Sequence, residues 1–155
     1  HYEVHQRIFA RHGIGTRRQC YQGQPMDLGG EQPRKLQAIK PGKVEEARKH
    51  IAEQIDFVET NEPRMIAFHC FFDEEGSKLT IVQVHPDSAS IEFHMEVSAK
   101  HFTTAFDYLE SQLSEQYYGS ISETLAGELA KWDKTNVALT HMPIHEGGFT
   151  RTTVR

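Results

Sequence analysis

Two runs restrict the fold more than any other feature: RMIAFHCFF at 64–72 and KLTIVQVH at 78–85, separated by the turn sequence DEEGS. Both are rich in β-branched and aromatic residues, and an acidic, glycine-bearing turn between such runs predicts an antiparallel hairpin. Successive side chains in a strand point to opposite faces. Ile66, Phe68, Cys70 and Phe72 therefore share one side of the first strand, and Met65, Ala67, His69 and Phe71 the other. In the second strand Thr80, Val82 and Val84 share one side, and Leu79, Ile81, Gln83 and His85 the other. Neither face is plainly polar, whereas an antiparallel sheet with one wet face alternates cleanly. Both faces of this hairpin must be covered.

The flanking sequence supplies part of the cover. KLQAIK at 35–40 reads as a strand ending at Pro41-Gly42. Val44, Ala47, Ile51, Ile55 and Val58 then recur at three- or four-residue intervals between charged residues, which predicts an amphipathic helix closed by Pro63. After Pro86, residues 87–90 offer helix caps ahead of Ile91 and Met95. A second helical run is predicted through Phe102, Ala105, Phe106, Leu109 and Leu113, with a bend near residues 98–100. YYGSI at 117–121 predicts a short strand. Leu125, Leu129 and Trp132 predict a helix, with Ser120 and Glu123 at capping-box spacing, and NVALTHMPIH at 136–145 a last strand broken toward Pro143.

This order is the βαββαβ split motif of ferredoxin-like α+β domains, extended by a C-terminal helix and strand. Its two principal helices can cover only one face of the sheet. The expectation is that a second copy covers the other, giving a homodimer built as a dimeric α/β barrel.

The chain has 155 residues, 37% of them hydrophobic and 25% charged, enough apolar material for one domain with its own core. Residues 1–25 hold Arg7, Arg11, Arg17 and Arg18 against Glu3, a charge of +3, while the remainder carries −8. The expected division is a flexible basic N-terminal extension over residues 1–34 and a ferredoxin-like domain over 35–155. An acidic body argues against a nucleic-acid partner, and the four arginines form no recognisable phosphate motif. No apolar run approaches the roughly 18 residues of a membrane helix, and no segment resembles a secretory leader, so no membrane association and a cytoplasmic location are expected. Cys20 and Cys70 are the only cysteines, and a reduced thiol within an apolar strand is the plain reading of Cys70.

Polar interruptions of apolar faces are where a small-molecule pocket places its orienting groups. His69, Gln83 and His85 are such interruptions, and they share a side only if the hairpin register permits it. His94 follows Ile91 by three residues and points toward the core side of its helix. Any one of these histidines is explained by burial and a backbone hydrogen bond; together they indicate a site. No bound metal is expected. His141 and His145 lie four apart but in a strand-like segment with Pro143 between them, a span of about 13 Å. His85-Pro86-Asp87 reads equally well as a helix entry capped by Asp87. No nucleophile elbow, Walker loop or dinucleotide fingerprint occurs.

The stretch AFHCFFDEEG through KLTIVQVHPDSASIEFHMEVSAKHF resembles the core of the antibiotic-biosynthesis-monooxygenase-like family, whose members are dimeric α/β barrels with a ferredoxin-like protomer. The resemblance rests on the aromatic strand Phe68 to Phe71, the acidic turn Asp73 to Glu75, TIVQVHPD, SASIEFH ending in His94, and Lys100-His101-Phe102, and it spans roughly residues 35–115. It implies oxidation of a quinol- or phenol-type aromatic by molecular oxygen with no cofactor. His94 or His69 is then the candidate base, His85 or Gln83 holds the substrate oxygen, and Met65, Phe71 and Ile81 pack against the ring. Haem-degrading relatives use a helix tryptophan, a later histidine and a strand asparagine, where this chain has His94, Phe106 and Ala38. Haem degradation is therefore disfavoured. The competing expectation is a noncatalytic dimeric ligand-binding or stress-associated module in which the histidines are structural.

Overall fold

A computed structural model describes residues 33–131 and 135–149. Nearly all of the basic extension and Trp132 fall outside the described residues, as does Cys20. The elements run β1 (Arg34–Ile39), α1 (Val44–Asn61), β2 (Ala67–Phe72), β3 (Lys78–Val84), α2 (Ser88–His101), α3 (Ala105–Tyr108), β4 (Leu109–Tyr118), α4 (Glu123–Ala130) and β5 (Ala138–Met142). They build one five-stranded sheet in the order β2-β3-β1-β4-β5, antiparallel except for the parallel pair β4 and β5. The first four strands have the ferredoxin-like arrangement, and β5 extends it beyond β4.

The hairpin register fixes which side chains share a face. Phe68 pairs with Gln83, Cys70 with Ile81 and Phe72 with Leu79; between them His69 pairs with Val82 and Phe71 with Thr80. Among the described residues, helices pack only on the first set. Ala47 and Ile51 of α1 form one buried cluster with Ile39, Leu79, Ile81 and Tyr108. Ile91 of α2 joins Tyr117, Leu125 and Leu129 in a second, which seats α4 against the far end of the same face. Among the described residues no helix lies over the opposite face, which carries Phe71, Val82 and Leu36, and Phe71 is 49% exposed.

Three expectations are corrected. The second helical run is only the four-residue turn α3, and residues 109–118 form β4, which pairs along β1 with register shifts after Leu36 and Ala38. Phe106, placed on the core face by helical spacing, is 78% exposed. The spacing of apolar residues from 102 to 113 fits a helix, but β1 needs a partner on its second edge, and pairing there outweighs local periodicity. The predicted bend at 98–100 is absent, since α2 continues through His101. The cap of α4 is Ser122, whose hydroxyl accepts from the Leu125 backbone N–H at 3.0 Å, rather than Ser120. Asp87 caps α2 as expected, accepting from Ser90 N–H at 3.0 Å.

Candidate functional site

Between the helix-covered face of the sheet and α2 lies a chain of buried polar side chains. α2 turns Ser90, Ile91 and His94 inward at three- and four-residue spacing. β3 presents Gln83 from the facing strand, and His85 stands immediately beyond its end. His94 Nδ1 lies 2.8 and 3.0 Å from the two carboxylate oxygens of Glu62, and its Nε2 lies 2.9 Å from the amide nitrogen of Gln83. The amide oxygen of Gln83 is 3.2 Å from His85 Nε2, and His85 Nδ1 is 2.9 Å from the Ser90 hydroxyl. Ser98, one helical turn beyond His94, reaches Nε2 at 3.2 Å and is only half-buried. His85 has no exposed surface and His94 has 4%.

Glu62 occupies an expensive position. It is the C-terminal cap of α1, whose last turn contains no basic residue, and Pro63 follows it. A carboxylate there meets the negative end of the helix dipole and is buried as well. The imidazole N–H of His94 is the compensating partner. A local rule broken at a cost, then repaired by one specific contact, is typical of functional positions.

Burial pushes the His85 imidazole down from 6.5 to about 3, assisted by the neighbouring His94 and by the Lys35 ammonium, with Asp87 acting in the opposite sense. His85 is therefore neutral at any physiological pH. Lys35 belongs to a second polar group on the same face: it pairs with buried Glu115 at 3.2 Å, which also accepts from Tyr117 OH and the Gln112 amide, both at 2.6 Å.

The residues singled out from sequence divide between two faces. Ile81, Gln83, His85 and His94 gather on the helix-covered side. His69 and Phe71 lie on the other, so the two candidate bases do not share a pocket. Met65 precedes β2, where its N–H donates to the Glu62 carbonyl at 3.1 Å. The histidine contacts also differ from expectation: His85 and His94 bond side chains, not backbone. Glu62, Ser90 and Ser98 were not singled out. The serines had a signal, since Ser90, His94 and Ser98 recur every four residues along one face of α2.

On the open face a groove of about 500 Å³ runs between Arg34, Leu36, Phe71, Thr80, Val82 and Gln116. At the chain's end His141 donates from Nε2 to the Gly119 carbonyl at 2.9 Å, and His145 is exposed. Among the described residues no three His, Cys, Asp or Glu side chains cluster closely enough to hold a metal ion. No helix among them is long and apolar enough to cross a membrane. Cys70 packs against the α1 core, and burial raises its thiol to about 12, which keeps it protonated and inert.

No known family profile and no curated protein matches this sequence. Solved structures do. MupZ from Pseudomonas fluorescens is 18% identical, with 81% of this chain and 97% of that one aligned at a TM-score of 0.65. A conserved protein from Methanosarcina mazei Go1, also 18% identical, aligns over 57% of this chain and 90% of its own at 0.51. A putative antibiotic biosynthesis monooxygenase from Bacteriodes thetaiotaomicron VPI-5482 aligns over 62% and 92% at 0.49, again with 18% identity. At such identities the likeness is one of fold. The strand order β2-β3-β1-β4 gives the chain a ferredoxin-like fold, and its structural neighbours include a protein named as a putative antibiotic biosynthesis monooxygenase.

Proposed function

We propose that this protein is a cofactor-independent monooxygenase that oxidises a quinol- or phenol-type aromatic with molecular oxygen, using His94 as the base. The observation that carries the reading is the Glu62–His94 contact. Glu62 engages Nδ1 at 2.8 Å and so directs the lone pair of the neutral ring to Nε2. That atom faces Ser98, the least buried member of the chain, where a substrate hydroxyl can replace the serine.

The chemistry needs little more. Dioxygen reacts slowly with closed-shell organic molecules, but a phenolate or stabilised carbanion gives up one electron to it. Proton removal by His94 produces the anion, and one-electron transfer produces superoxide and a carbon radical. Their combination forms a C–O bond, the peroxide oxygen takes the proton back from His94, and loss of water from the hydroperoxide turns a ring CH₂ of the keto tautomer into C=O. The substrate carbon loses four electrons and dioxygen gains four, with one water released, so no external reductant enters. The protein contributes a dry site and a base held in one tautomer. Phe68, its ring 6.0 Å from that of His94, and Ile81 supply the apolar wall on this face.

The protein is further proposed to act as a homodimer, the uncovered face of one protomer meeting that of a second. Exposed Phe71 and half-buried Leu36 and Val82 are the apolar surface that supports this. A second reading, a noncatalytic binding module, is favoured by the closure of the histidine pair, since His94 is 4% exposed and Gln83 and Ser98 already stand against its Nε2. Oxygen uptake over a panel of hydroquinones and anthrones separates the two. Uptake by the wild type, lost in His94→Ala and reduced in the isosteric Glu62→Gln, supports the enzyme; no uptake by the wild type leaves the binding module.

A further inference from the structure

An amide has one donor end and one acceptor end, and the Gln83 amide lies between two imidazole Nε2 atoms. Its nitrogen faces His94 at 2.9 Å, and its oxygen faces His85 at 3.2 Å. The two rings must therefore offer it opposite things: His94 a bare nitrogen, His85 an N–H. Every other member of the chain agrees. Glu62 accepts the proton that His94 carries on Nδ1, and the Ser90 hydroxyl donates to the bare Nδ1 of His85. All five side chains are buried or nearly so, so water does not compete for these contacts.

We infer that Gln83 is a positioning residue that couples the two rings: the Nδ1–H tautomer that Glu62 sets in His94 leaves Nε2 unprotonated, and through the Gln83 amide it fixes the opposite tautomer in His85. The inference rests on the reading of His94 as the base for its catalytic meaning, but the tautomers themselves can be read without any substrate. Gln83 is 2% exposed and both ends of its amide are engaged, so it acts through His94 and does not itself grip the substrate. Serine hydroxyls rotate to donate or accept, so neither Ser90 nor Ser98 can impose this order. The charged groups around the pair are Glu62 at the end of α1, Lys35 on β1 and Asp87 at the cap of α2. The ring of Phe68 on β2 adds no hydrogen-bonding group.

The lock also constrains proton uptake. A proton on His94 Nε2 would set two donors against each other at 2.9 Å, so the amide must turn over. Its nitrogen then faces His85, whose single ring proton moves from Nε2 to Nδ1 by exchange during a transient opening of the site, with the Ser90 hydroxyl turning to accept it and no change in charge.

Long-range ¹⁵N–¹H spectra of the full chain at pH 8 test this, because protonated and bare ring nitrogens resonate far apart. The expected result is His94 with its proton on Nδ1 and His85 with its proton on Nε2. The same tautomer in both rings, or an imidazolium at His94, overturns the inference. In Gln83→Met, His85 is expected to become a mixture of tautomers while His94, held by Glu62, is unchanged; a His85 that keeps a pure Nε2–H there also overturns it. In Ser90→Ala both tautomers are expected to persist, and a change at His85 would move the lock to Ser90. Absent oxygen uptake with the tautomers as expected removes the enzyme reading alone; uptake with matching tautomers removes the lock alone.

Discussion

His85 links the buried chain to the pH dependence of stability. Its imidazole titrates near 6.5 when unfolded and near 3 in the folded protein. Below pH 6.5 the unfolded chain binds a proton that the native state refuses, so native stability falls as the pH falls. The contribution is fully present above about pH 6.5 and is lost progressively toward pH 3. Between pH 7 and pH 5 the linkage relation gives a loss of about 2 kcal/mol. With a urea slope of about 1–3 kcal/mol per molar, the unfolding midpoint should move by about 1 M. The window is chosen because Asp73, Asp87 and Glu96, all held below their ordinary carboxylate values, stay ionised throughout it. The assay is urea unfolding followed by circular dichroism at pH 7, 6 and 5, for wild type and His85→Gln. The variant removes the titrating group, so its advantage or deficit relative to wild type should shift in its favour by about 2 kcal/mol over the window. If the difference between the two proteins is the same at pH 7 and pH 5, His85 is not held neutral by its surroundings and the reasoning fails.

Other perturbations separate structural from chemical roles. Gly76 adopts φ 69°, and a Cβ there would run into the Val44 side chain, so Gly76→Ala should lower stability by more than about 1 kcal/mol in the same unfolding assay. Ser122→Ala removes the cap of α4 and should cost about 0.5–2 kcal/mol, whereas Ser120→Ala should cost almost nothing; equal losses would contradict the cap assignment. Glu62→Ala leaves the His94 Nδ1–H without its acceptor and should cost about 1–3 kcal/mol, with Glu62→Gln recovering most of it by thermal unfolding. Phe71→Glu should turn a dimer into a monomer in analytical ultracentrifugation. A folded wild type that is already monomeric at micromolar concentration would end the dimer proposal.

Legibility of the fold followed the strength of periodicity. The hairpin, α1 and the entry to α2 could be read because the β-branched and aromatic runs at 64–72 and 78–85 and the three-to-four spacing in 44–58 are unbroken. β4 was hidden for a physical reason. Its inward positions include Glu115, which reads as a surface residue and is buried only because Lys35, Tyr117 and Gln112 surround it. For the site, the polar residues on apolar faces, Gln83, His85 and His94, carried the signal. Glu62 carried none, because an acid at a helix end looks solvated until the fold brings it to a histidine 32 positions away. The separation of His69 from His94 was a question of hairpin register, which the length and chemistry of DEEGS left open.

Every group in the imidazole chain, from the acid that anchors it to the hydroxyls at its ends, comes from a single unbroken stretch of sequence, residues 62–98. The α4–β5 appendage and β1 lend no atom to it. Changes in the C-terminal portion therefore reach the chain only indirectly, through the seating of α2 by Leu125 and Leu129 on Ile91 and by Ser122 on Ser88 and Glu92.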